Sequence, residues 1–499
     1  MYRNKGTITV FLSLISMLFL SLFCTMAESV RVQAARFQAA AAFDMGLFSV
    51  FGEYDRVLLE EYDLWFLDGS SEEQKIREVL ETKLEKYIQP NINPRYNLAA
   101  GRSWDVFPTE LDRCTVDKYA LATDHGGQVF YSQAVENQKE LFVGEAASAL
   151  KKNIKQMEEG HQKGEEYQNE EQKADEEYQR AQAAQMEEKK RQESEKENAE
   201  KQEESDTDIK ETEAVQAKVE NPLDQIKKIK SMGILGLVLK DGTVVSDKTI
   251  ERKNLPSERN LQKGSLLVNE ISADPVSEAI FLNYLQKHFQ CAVDEGGKHQ
   301  KGSKEHSLSY ELEYIIGGQK SDRENLKKTV NRILLIREGM NYATLAKSAK
   351  MRGEAMALAA AITGAAALPE FAGALQKLLM LAWAYGESLL DVRTLLAKGK
   401  VPMLKAETEW KLPLEKLGML AEVLKECDAG GGNGQSYEDY LSGLLILGKK
   451  QQRNLRVLDL IECNRRMEKG GETFRVDALV AQAEASADFE LAPVFLRIP

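Results

Sequence analysis

The chain has 499 residues, 43% of them hydrophobic, with 66 basic and 79 acidic side chains. That length leaves room for two or three domains and a sizeable core. A net charge of −13 excludes the overall basic balance that nucleic-acid binding favours, so no nucleic acid is expected as a partner. The charge is also uneven: residues 151–220 hold 22 acidic and 13 basic side chains, a net of −9, and leave the remainder close to neutral.

Arg3 and Lys5 precede an apolar run from Ile8 to Met26. At about 1.5 Å per residue this run nearly spans a hydrocarbon core of roughly 30 Å. The positive-inside rule places the N-terminus in the cytoplasm and everything after Met26 outside. The expectation is a single-pass protein of the cell membrane with an extracellular C-terminal domain. Thr25 and Ala27 would also suit a cleaved secretory signal. A retained anchor is preferred, because ESVRVQAARFQAAAAFDM (28–45) continues a helix-favouring pattern with no Gly or Pro. One helix is predicted from about Thr7 to Phe48. Cys24 follows Phe23, where a lipoprotein site needs a small residue.

FSVFGEYDRVLLEEYDLWFLDG (Phe48–Gly69) reads as an amphipathic segment ending in an Asp-Gly turn. A helix is expected over Ser71–Ile88, stopped by Pro90. Lys118–Ala122 and Gly127–Tyr131 flank TDHGG and suggest two short strands. The charged run to Asp208 has Glu and Lys three and four residues apart, which supports an isolated helix. It shows no sustained apolar seam, so a solvated helix fraying by about Glu203 is expected. Beyond Asn221 the pattern is again that of a folded domain. Asn221 and Pro222 open a short helix to Met232, and Ile234–Ser246 suggests a hairpin about Asp241-Gly242. Glu278–Cys291 reads as helix and Ser309–Gly318 as a strand. Helices are predicted over Asp322–Glu338, Asn341–Ala366, Glu370–Ala397, Leu414–Glu426, Ser436–Lys450 and Gln452–Glu468. Strands are expected in TFRVDALVAQAEASADFEL and VFLRI at the C-terminus. The apolar stretch Ala355–Leu368 is too short to cross a membrane and reads as an Ala-rich buried hairpin.

The resulting fold class is α+β and mostly helical. It has a long N-terminal transmembrane helix, a charged helical or disordered insertion, and C-terminal helices with a small, mainly antiparallel sheet. The expected organisation is an anchor and projecting helix (1–50), the first part of an α+β ectodomain (51–150), a charged spacer or insertion (151–221) and a C-terminal α+β ectodomain with a helical core (222–499).

A basic start, Gly6, the helix opening TITVFLSL, and Glu28 with Arg31 and Arg36 beyond it resemble the TadE and TadG pseudopilin-like proteins of tight-adherence (Tad) pilus machinery. Phe11 stands where prepilins cut after Gly carry Glu, which argues against processing after Gly6. SYELEYIIGG (309–318), NRILLIREGMN (331–341) and LAWAYGESLLDVRTLLAKGKVPMLK (381–405) resemble a family of membrane-anchored Firmicute proteins of unknown function linked to Tad-type loci. The resemblance implies the membrane and other Tad-type pilus or secretion components as partners, with self-association through the N-terminal helix as a further option.

Few residues suggest chemistry. His288, Cys291, His299 and His306 are zinc-ligand types within nineteen residues, but their spacing matches no standard finger. AGGGNGQS (429–436) follows a helix, not the strand that a phosphate cradle needs, and reads as a connector. Glu387 and Asp391 lie one helical turn apart. With Arg393 nearby, buried salt links between helices are the preferred reading over acid–base work. Cys114, Cys291, Cys427 and Cys463 are far apart, and Cys427 could meet Cys463 only if their helices formed a hairpin. No catalytic, cofactor or metal residue is assigned. The expected function is a non-catalytic, membrane-anchored extracytoplasmic component of a Tad-like pilus or secretion assembly. The alternative is an anchored extracellular hydrolase with an unrecognised site.

Overall fold

Helix dominates because apolar and small residues recur three and four positions apart along most of the chain. The structure, a computed structural model, describes residues 5–71, 75–92, 108–139, 144–200, 221–268, 271–272, 274–294, 305–365, 371–427 and 432–491. It is 69% helical with one small three-stranded antiparallel sheet, the expected fold class. The chain divides into two compact units. Unit 1 comprises residues 1–140, 253–272 and 461–499, and unit 2 comprises 141–252 and 273–460.

In unit 1, helix α1 (Lys5–Phe51) is a single 47-residue element. It is the one helix among the described residues long and apolar enough to cross a membrane, consistent with a single-pass anchor or a signal sequence. Its first half is exposed. Its second half buries Ala35, Ala39, Ala42, Gly46 and Val50, one face of small side chains that lets a neighbour approach closely. That neighbour is α3 (Ile76–Ile92): a Cβ on Gly46 would meet Ile88 Cγ1 at 2.6 Å. Ile76, Leu80, Leu84, Ile88 and Ile92 form an i, i+4 ladder that is buried throughout. Pro90 lies inside the last turn of α3 and does not stop it. A short helix, α2 (Arg56–Tyr62), is capped by Asp55, whose carboxylate accepts from the backbone N–H of Val57 and Leu58.

The sheet has the order β1 (Leu67–Asp68), β3 (Leu479–Leu491), β2 (Thr109–Leu121). Thr109 pairs with Leu491 and Leu121 with Val480, so its main ladder joins segments more than 350 residues apart. Along β3, Gln482, Glu484, Ser486, Asp488 and Glu490 are exposed, while Ala483, Ala485, Ala487 and Phe489 pack on the core with α1 and α3. The strand expected at Lys118–Ala122 is the end of β2. The strand expected at Gly127–Tyr131 is instead part of α4 (Asp124–Gln138). His125, Gly126 and Gly127 do turn the chain, with φ of 54°, 71° and 80°. Phe130, Tyr131, Ala134, Val135 and Gln138 then fall on one buried helical face rather than alternating.

Unit 2 is built around α5 (Gly144–Glu200), α8 (Pro275–His288), α10 (Asp322–Lys347), α12 (Ala372–Leu396) and α14 (Tyr437–Leu447). The charged run is helical as expected, but its first half is not fully solvated. Asn153, Met157, Gly160, Gly164, Tyr167 and Ala174 are buried at heptad-like intervals. The seam escapes a hydropathy reading because it is made of Asn, Gly, Ala and Tyr. A Cβ on Gly160 would meet Ile336 at 2.7 Å, and one on Gly164 would meet the Leu335 carbonyl at 2.7 Å. From the other side, Gly339 admits the backbone of Lys163 and Gly164. These three glycines let α5 and α10 pack backbone to backbone. Residues beyond Glu200, including the expected fraying point, lie outside the described residues.

Other expectations are corrected locally. Ile234–Val238 forms a helical turn, α7, so the expected hairpin keeps only its Asp241-Gly242 turn, where Gly242 has φ 85°. The expected strand at 309–318 is helix α9 (Glu311–Gly317), in which Leu312, Tyr314, Ile315 and Ile316 are all buried. Burial on every side removes the period-2 contrast that the sequence suggested. The break expected near Met340 is absent, since α10 runs on to Lys347 before α11 (Ala349–Ala365). In α11, Met351, Ala355, Ala359 and Thr363 are buried every fourth residue, and the helix packs on α12. The described elements close with α15 (Lys450–Met467) and β3, and the expected VFLRI strand lies outside the described residues. None of the five cysteines forms a disulfide, so Cys427 and Cys463 are not joined.

Candidate functional site

The acids singled out by sequence lie at the centre of unit 2. Glu387 and Asp391 are one turn apart on α12 and fully buried. Arg393 is not their partner; its Nη1 donates to the Leu239 carbonyl at 2.6 Å. The cations come from elsewhere. Arg337 of α10 donates from Nε and Nη2 to Asp391 Oδ2 at 2.9 and 2.8 Å. Its Nη1 donates to the Pro402 and Met403 carbonyls at 2.9 and 2.8 Å. Lys405 sits between Glu387 Oε1 and Asp391 Oδ1. Glu387 Oε2 also accepts from the Leu412 N–H at 2.8 Å, and Asn341 Nδ2 donates to Asp391 Oδ2 at 2.9 Å.

Two carboxylates and two cations thus form a neutral, dry lattice. Burial weighs against the Asp391 charge, but Arg337 and Lys405 more than offset it and hold its carboxyl below the usual range. Glu387 goes the other way: burial raises it, Lys405 pulls it down and Asp391 pushes it up. The helix-bridging reading of these acids is therefore the one the geometry carries, with different cations. Sequence reading missed Arg337 and Asn341. The available signal was a charged residue embedded in the apolar run ILLIREGM of a helix.

Among the described residues, His288, Cys291 and His306 do not gather into one ligand set. His306 Nδ1 lies 2.8 Å from Glu311 Oε1, His288 packs on the Tyr284 ring at 4.6 Å, and His299 lies outside the described residues. Cys291 has Asp294 and Glu438 close by, with possible ligand atoms within 4.8 Å of one another. Burial pushes the Cys291 thiol well up, and the charges of Glu313 and Asp294 push it further. In the Gly-rich connector, Gly434 lies against the Val401–Pro402 backbone and the neighbouring Gln435 pairs with Val401, as a packed link does. Ala429–Gly431 lie outside the described residues.

The exposed apolar feature is in unit 1. Beyond the apolar stretch, α1 turns one face to the core and leaves Val30, Phe37 and Phe48 outward, 67%, 78% and 85% exposed. At 100° per residue these three fall within about 20° of a single line along the helix. On the opposite, sheet-facing side of the helix, between Val32, Ala35, Ala39 and Phe43 of α1 and Thr109, Ala487 and Phe489 of the sheet, is a cavity of about 490 Å³. Beyond the two-residue β1, the edge of β3 has no strand partner among the described residues. Exposed apolar lines and unpaired strand edges are each features of surfaces that meet another protein.

No curated protein and no solved structure matches the chain. A family of unknown function, DUF5702, matches residues 212–491, more than half of the sequence and the part that includes the buried lattice and β3. The chain belongs to the DUF5702 family.

Proposed function

We propose that this protein is a non-catalytic, membrane-anchored extracytoplasmic component of a Tad-like pilus or secretion assembly, with its N-terminus in the cytoplasm. The observation that carries the reading is α1, an apolar helix continuing into a second half that is packed on α3 and the sheet on one face and carries Val30, Phe37 and Phe48 on the other. A helix that served only as a tether would have no reason to keep Phe37 and Phe48 in water. Lateral packing of such helices, with other components or with a second copy, would bury them. The resemblance of the N-terminus to TadE and TadG proteins points the same way. The acids best placed for chemistry, Glu387 and Asp391, are consumed by internal ion pairs.

The test is co-purification from membranes in a mild detergent, comparing the wild type with a Phe37→Asp, Phe48→Asp variant. The expected result is a defined set of envelope partners, or a second copy, retained by the wild type and lost by a variant that melts at the same temperature. An unchanged set of partners would contradict the reading. So would a hydrolytic activity that survives in the folded variant, which is the outcome expected of an anchored enzyme.

A further inference from the structure

Unit 2 gathers more basic than acidic side chains at one place. Helix α9 ends at Gly317, and its last carbonyls receive three cations from two other helices. Lys328 Nζ donates to the Gly317 carbonyl at 2.8 Å, and Arg332 Nη1 to that of Ile316 at 3.3 Å. Arg456 Nη1 donates to the carbonyls of Ile315 and Ile316 at 2.9 and 3.0 Å. Because they share three consecutive acceptors, the three cationic groups are neighbours. Gly318 makes the convergence possible. It closes the helix in the left-handed conformation, φ 60°, and a Cβ there would sit on the Arg456 guanidinium.

Capping alone does not account for this much charge. A helix C-terminus presents about half a negative charge, so one cation already over-neutralises it. Three are present, and Arg252 adds a fourth within electrostatic reach. None of Lys328, Arg332 and Arg456 has a carboxylate within ion-pair distance among the described residues. The acid that acts on Arg456 is Asp459, which already accepts from the Tyr314 hydroxyl at 2.7 Å. All three basic groups are pushed below their usual range by loss of solvent, and Lys328 and Arg456 also by the neighbouring arginines. Each arginine uses only Nη1 on the carbonyls, which leaves Nε and Nη2 of both without a protein acceptor among the described residues. Two guanidiniums and an ammonium around one point match the oxygens of a tetrahedral oxyanion, which guanidinium forks bind in pairs.

We propose that Lys328, Arg332 and Arg456, with Arg252 behind them, form a binding site for a phosphate group, free or within a phosphodiester. The site is independent of the apolar face of α1 and holds whether or not that face has a partner.

The test uses the full chain in mild detergent and chloride-poor buffer, titrated calorimetrically with inorganic phosphate and separately with glycerophosphoglycerol. Saturable one-to-one binding of at least one of these is expected, weakened by added salt. Preference for the first marks a free-anion site, and preference for the second marks a phosphodiester-bearing ligand. Arg332→Gln and Lys328→Met should each weaken binding at least tenfold. Melting in anion-free buffer separates this site from a plain helix cap. With a binding site, both variants melt at or above the wild-type temperature, since repulsion is relieved, and phosphate raises Tm of the wild type only. The proposal is overturned if neither probe binds saturably, if the variants bind as the wild type does, or if they melt lower without anion and phosphate shifts all three proteins alike.

Discussion

The most prominent feature of unit 2 is buried charge and that of unit 1 is exposed apolar surface, although unit 1 also buries Glu462 and Asp477 against Arg259. Unit 2 draws charge inward: Arg337, Asp391, Lys405 and Glu387 neutralise one another where no water reaches. Unit 1 leaves apolar surface outward: Phe37 and Phe48 lie on a helix that already has a packed face. The buried charges hold helices together and have no free valence for a substrate. The exposed phenylalanines make no contribution to the packed face of α1, and on the proposed reading a partner covers them. Function is therefore sought on α1 and at the basic end of α9, and not among the most conspicuous acids.

Four changes would break or sharpen this contrast. The largest effect is expected in the lattice. Asp391→Ala leaves two buried cations short of a partner and should cost on the order of 3–5 kcal/mol, read by chemical denaturation. A smaller loss from Glu387→Gln is expected, because the amide oxygen still accepts from the Leu412 N–H. A cost under 1 kcal/mol for Asp391→Ala would mean that the lattice does not hold unit 2.

The next effect depends on pH. Burial pushes the Glu338 carboxyl up to about 8, with Lys230 pulling it down and Glu171 pushing it up. Burial likewise raises Glu313 to about 7, against hydrogen bonds from the Ala292 N–H and the Tyr437 hydroxyl. A carboxyl whose folded pKa is raised contributes its full stability below its ordinary value of 4.5 and loses it as pH rises towards the folded value. Melting temperature should fall between about pH 5 and 8. Since each pKa unit is worth about 1.4 kcal/mol, Glu338→Gln should flatten that slope and gain most at pH 8. A wild-type profile that rises over this range would contradict the assignment.

Gly164→Leu forces a side chain onto the Leu335 backbone and should cost about 1–3 kcal/mol, also read by denaturation. The same change at an exposed position such as Glu176 should cost little, which tests whether the α5 seam is real. The smallest effect belongs to unit 1: Phe48→Ser is expected to move stability by less than about 0.5 kcal/mol. A large loss would mean that Phe48 serves the fold and not a partner.

Much of this was legible because local pattern and tertiary role agree. The i, i+4 ladder of α3, the alternation of β3 and the unbroken apolar start of α1 read directly from the residues. The failures share a cause: burial on more than one side, or by small residues. Helix α9 looks like a strand because apolar residues alternate in SYELEYIIGG, yet nearly all of its side chains are buried. The α5 seam is invisible to hydropathy because glycine packs by absence. Glu387 and Asp391 were found and their bridging role was read, but Arg337 and Lys405 come from segments that only the tertiary fold brings to them. The basic cluster at α9 was not legible at all, since its members are separated by up to 204 positions.

The central claim is that the outward face of α1 is covered by another protein in the membrane. A photo-crosslinking amino acid placed at Phe37 or Phe48 in living cells tests it most directly, with the exposed Glu176 of α5 as the control position. The account predicts discrete higher-mass adducts from both helix positions and few from Glu176. Adducts no more abundant at Phe37 and Phe48 than at Glu176 would contradict it.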